Sequence, residues 1–182
     1  MDGAYRPLAT TVGVLALFVV AAVAIGHDGW GTPAANEQAI GEVSRWCERV
    51  SGGFLREPMN TLGNLGFVAA GLVMFWVLAR DTVARRTQTN RFIGYTSISL
   101  LYAAAAVFLG PGSMVMHGTH TFFGAWIDNV SMVMYISIPW LLNLAVMARW
   151  RDRRLLLTYT SVVTAYALGY WLIAPDLGIG FE

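Results

Sequence analysis

Five long apolar runs dominate this chain, near Leu8–Ile25, Asn60–Ala79, Phe92–Pro111, Gly124–Ala148 and Leu155–Ala174. A helix of roughly 20 apolar residues is long enough to cross a bilayer core, where every backbone polar group must be bonded within its own segment. The runs therefore predict an all-α, polytopic membrane helix bundle of about five transmembrane helices. Composition points the same way. The 182 residues are 56% hydrophobic and only 13% charged, against roughly a quarter charged in soluble domains. A net charge of +1 argues against a nucleic-acid partner. The single cysteine, Cys47, rules out an intrachain disulfide.

The first run invites two readings. Arg6 precedes it and Ala22-Val23-Ala24 resembles a cleavage site, as in a secretory signal, but the apolar stretch is long for a signal core and favours a retained helix. The chain divides accordingly into an N-terminal transmembrane helix or signal anchor (1–26), an extracytoplasmic segment (27–59) and a transmembrane bundle (60–182).

Arginine placement predicts orientation. All twelve basic residues are arginine, and nine lie in three segments that share one side of a five-span chain: Arg6; Arg80, Arg85, Arg86 and Arg91; Arg149, Arg151, Arg153 and Arg154. By the positive-inside rule that side, with the N terminus, is cytoplasmic. The 27–59 segment and the stretch around Ser113–Phe123 then face the other way. Within 27–59, Ile40, Val43 and Cys47 stand at helical spacing beside Trp46, which predicts a short interfacial helix. Pro58 suits the first turn of the next span, where its missing N–H would be unpaired anyway.

Several polar residues gather at that outer side. Asp128 is the one charge inside a predicted span; a carboxylate at membrane depth costs about 2.5–3.5 kcal/mol on insertion scales and normally meets a partner, water or a metal. A shallow Asp that caps or snorkels is the bland alternative. Ser113 and His117 share a helix face at i, i+4, and His120 lies one turn on. Two imidazoles and a hydroxyl suit zinc, as they also suit interfacial histidines bonded to water. Met114, Met116, Met132 and Met134 read as packing. Glu57, Asn60 and Asn64 form a polar stripe able either to bond a neighbouring helix or to offer oxygens to a hard cation. Five such residues converging on one leaflet favour a site over any single explanation.

The same residues carry a family resemblance. Trp46-Cys47-Glu48, Glu57-Pro58-Met59-Asn60-Thr61 with Asn64, Ser113…His117 and Asp128-Asn129-Val130-Ser131-Met132 resemble the alkaline ceramidases, relatives of the adiponectin receptors. The resemblance implies part of a seven-helix bundle that uses zinc to cleave the amide of ceramide or a related N-acyl lipid. It makes His117 a zinc ligand, Ser113 its polar neighbour and Asp128 the carboxylate that handles the water; His120 is a further candidate for zinc by its spacing alone, outside what the resemblance implies. It also implies calcium near Glu48, Glu57 and the Trp46 backbone.

Three features depart from the family pattern. Arg45 stands where an acid precedes the tryptophan, Val50 is apolar two residues after Glu48, and no histidine follows His120, so the family's final His-x-x-x-His is not in this sequence. The first span is an addition, and the bundle is expected to be C-terminally incomplete. The alternative function is a catalytically incomplete lipid-binding or receptor-like protein on the same scaffold. A piece of a longer gene product is a third reading. A transporter fits poorly, since the other spans offer no ionisable path.

Overall fold

The computed structural model describes residues 3–35 and 37–177, the last four of these by backbone alone. After a short 3-10 turn at Gly3–Tyr5, the helices are α1 (Arg6–Gly26), α2 (Pro58–Gly63), α3 (Leu65–Val83), α4 (Ser97–Thr119), α5 (Phe122–Met147) and α6 (Asp152–Leu177). Five segments are long and apolar enough to cross a membrane, with α2 and α3 forming one span at Pro58–Val83. The protein is a multi-pass, all-helical membrane protein.

Each helix starts where local chemistry allows. Thr96 caps α4 through a reciprocal box with Ser99, and the Thr121 hydroxyl accepts the Gly124 N–H at 3.0 Å to open α5. Pro58 begins α2 as its sequence position requires. At Asn64 the side-chain amide donates to the Asn60 carbonyl at 2.8 Å. That competition with the backbone ladder separates α2 from α3.

Helix α4 is the axis of the bundle. Over half of its apolar window is buried (56%), against none for α1 and 11% for α6. It packs α3 on one side, with Phe75, Leu78, Ala103 and Val107 as one cluster, and α5 and α6 on another, through Ala105, Ile138, Leu141 and Tyr159. Glycines permit this closeness. A Cβ at Gly71 would lie 2.6 Å from the Val107 backbone nitrogen, and one at Gly112 would lie 2.6 Å from the Ser131 Cβ. With little hydrophobic drive inside lipid, such close backbone approach is a main source of helix association.

Two expectations are corrected. The third span does not end near Pro111: α4 runs from Ser97 through Pro111 to Thr119. Proline normally breaks a helix interior, but neighbouring helices re-satisfy the backbone in membrane bundles, and Gly110-Pro111-Gly112 is fully buried between α3 and α5. The interfacial helix expected around Ile40, Val43 and Cys47 does not form. The segment instead folds back on itself, with Val43 bridging Arg49, Ser44 N–H donating to the Glu48 carbonyl at 2.8 Å and Cys47 in the left-handed region at φ 64°. Helical spacing was present, but long-range bonds from the loop to the end of α4 decide its path.

Candidate active site at the end of the fourth helix

The last carbonyls of a helix have no partner within it. At the end of α4 the 27–57 segment supplies three. Glu57 N–H donates to the His117 carbonyl at 3.0 Å, Arg56 N–H to Gly118 at 3.1 Å and Ala34 N–H to His120 at 2.9 Å. His120 itself caps the helix in the left-handed region at φ 49°. The segment is thus a cap seated on α4, anchored also by Trp30, whose ring lies against Gly26 and whose Nε1–H donates to the Phe54 carbonyl at 2.8 Å.

This cap presses Glu57 against the histidines. Glu57 is fully buried. Its Oε2 lies 2.6 Å from His117 Nδ1 and accepts the Asn60 amide at 3.1 Å. Its Oε1 is 3.2 Å from His120 Nε2, close but off the hydrogen-bond direction. Burial alone would raise the carboxyl's pKa, yet the donors of His117, His120, Ser44 and Asn60 that face it outweigh burial and hold the group below the usual carboxylate range. An ionised Glu57 at that distance puts the proton of His117 on Nδ1 and leaves Nε2 as a lone-pair donor. That is how carboxylates orient metal-binding histidines. The Trp46 ring meets His117 edge-on, centroids 4.9 Å apart.

Ser113, His117 and Asp128 come together between α4 and α5, all three buried. The Ser113 hydroxyl faces the Asp128 carboxylate. Asp128 Oδ1 has no hydrogen-bond partner among the described residues. A buried carboxylate oxygen left bare is a feature to explain, and it suits a ligand. His120 is turned away from this group, toward Glu57 and Glu37.

The residues of the calcium group also converge. The Asn60 amide donates to the Trp46 carbonyl at 3.3 Å as well as to Glu57, and both Glu48 oxygens accept backbone N–H groups, from Met59 and Asn60, at 2.8 Å each. Asn60 thus works within the cap rather than across to a neighbouring span.

Three participants were not anticipated. Glu37 has a side chain only 2% exposed, and burial raises its pKa against the pull of Arg45 and His120. Nothing in its irregular surroundings signalled that. Tyr166 and Tyr170 of α6 both feel the charge of Asp128. Their i, i+4 spacing in an apolar span was the available signal.

Among the described residues no three His, Cys, Asp or Glu side chains are grouped to hold a metal ion. A cavity of about 300 Å³ lined by Asp81, Arg85, Arg86 and Tyr95 opens at the other end of the bundle, away from this chemistry.

No curated protein and no solved structure matches the chain. A family model does, described as Ceramidase, over residues 43–178. That match takes in the second half of the cap, from Val43, and the four spans that follow it. By this match, which covers well over half of its length, the chain belongs to the ceramidase family.

Proposed function

We propose that the protein is a ceramidase-like membrane hydrolase that cleaves the amide bond of ceramide or a related N-acyl lipid, using zinc at the Ser113–His117–Asp128 group. The observation that carries this is the bare, buried Asp128 oxygen beside a histidine whose other nitrogen is held by Glu57. His117 and Asp128 would hold the metal. Zinc would polarise the amide carbonyl and ease deprotonation of water.

The chain's own residues do the rest. Glu57 fixes the His117 ring and its tautomer. Ser113 keeps the Asp128 carboxylate in one orientation. Asp128 takes the proton of the attacking water and returns it to the leaving amine as the C–N bond breaks. Arginine distribution supports an orientation with the N terminus cytoplasmic and the site at the extracytoplasmic face. Arg91 and Asp152, 2.8 Å apart, tie the two arginine-rich connections together at the opposite end.

A second reading, lipid binding without turnover, is favoured by the incomplete donor set, since catalytic zinc usually has three protein ligands. One experiment separates them. Purified full-length protein is incubated with N-acyl sphingosine in detergent micelles, with and without a zinc chelator, and fatty acid is measured. Chelator-sensitive release supports hydrolysis. Saturable lipid binding with no release supports the second reading and overturns the first.

A further inference from the structure

The cap holds charged groups that the proposed hydrolysis leaves unused. The resemblance implies a calcium ion joining the Trp46, Glu48 and Glu57 positions, and the oxygens gathered there do not fit one. Calcium takes six to eight oxygens at about 2.3–2.6 Å. Here Glu57 Oε2 already faces His117 Nδ1 and the Asn60 amide, Oε1 faces His120 Nε2, the Trp46 carbonyl accepts from Asn60, and both Glu48 oxygens accept backbone N–H groups. Of the two departures from the family that fall in this calcium group, one is the aliphatic Val50 and the other brings a cation of its own.

That cation is Arg45. Its guanidinium carbon stands 5.2 Å from the centroid of the Trp46 ring, and its Nη2 lies 3.9 Å from Glu37 Oε2. The same Glu37 oxygen lies 3.9 Å from His120 Nδ1, and His120 is fully buried. Glu37 is almost out of water, so its carboxylate needs a cation close by. A planar guanidinium can lie on an aromatic face while it offers N–H groups to a carboxylate, which an ammonium does less well. Trp46 in turn meets His117 edge-on, so the stack Arg45–Trp46–His117 runs from the cap surface to the candidate site.

We propose that the Arg45 guanidinium is a fixed side-chain cation that clamps the cap onto α4 in place of calcium, through the Glu37 carboxylate that also faces His120. It makes the cap independent of calcium, whatever the fate of the zinc reading, because the test below needs neither substrate nor zinc.

Thermal unfolding of the full-length protein in detergent is followed in calcium chloride and in EGTA. The wild-type protein unfolds at the same temperature in both. Arg45→Ala lowers that temperature by roughly 2–4 °C in either buffer, and Arg45→Lys restores part of the loss. A wild-type unfolding temperature that rises with calcium and falls in EGTA overturns the proposal. So does an Arg45→Ala protein that melts with the wild type.

Discussion

Asp128→Asn is expected to raise the unfolding temperature of this protein while removing its lipid hydrolysis. The carboxylate sits in a membrane-spanning helix, is 9% exposed and leaves Oδ1 without a bond. The Ser113 hydroxyl faces it. A charge in that position costs about 2.5–3.5 kcal/mol on insertion scales. Asparagine keeps the shape, loses the charge and still accepts from Ser113, so a gain of about 0.5–2 kcal/mol is expected. Catalysis moves the other way, since removing a positioned general base costs about 10²–10⁴-fold. Paired thermal melts and fatty-acid release measure both. An asparagine variant that is less stable yet fully active would make Asp128 a structural residue.

The largest stability loss is expected at Glu57. Its carboxylate is fully buried and faces His117, His120 and Asn60 at once. Glu57→Ala strips His117 and Asn60 of their acceptor and His120 of the carboxylate it faces, at the joint between cap and α4. Breaking a buried, paired charge by removing one partner costs about 3–5 kcal/mol. Glu57→Gln keeps an acceptor and should fold, but its neutral amide no longer fixes the His117 tautomer. Outer-shell changes of that kind typically cost about 10–100-fold in metal affinity or activity. Thermal melts of the alanine variant and zinc titration of the glutamine variant check the two halves. An alanine variant as stable as the wild type would mean that the cap is held by its backbone bonds alone.

Much of this was legible in the residues. Apolar run length located all five spans, because a lipid core tolerates only helices whose backbone is bonded internally. The lone acid Asp128 and the Ser113–His117 spacing pointed to the group that α4 and α5 bring together. What was not legible depended on distant partners. The apolar run stopped near Pro111, and the burial of Gly110-Pro111-Gly112 against α3 and α5 carries the helix on to Thr119. Ile40, Val43 and Cys47 had helical spacing, yet their path is set by bonds from 34, 56 and 57 to the α4 terminus. That His120 faces Glu57 and Glu37 follows from the left-handed backbone at that residue, which helical spacing after His117 does not foretell. Glu37 lies in irregular chain, where no periodicity marks a residue as buried.

The proposed chemistry depends on a single metal reached by both His117 and Asp128. Metal analysis of the purified full-length protein tests that most directly. The account predicts one zinc per chain in the wild type and its loss in His117→Ala. Folded wild-type protein that carries no zinc, or a His117→Ala variant that keeps it, would contradict the account.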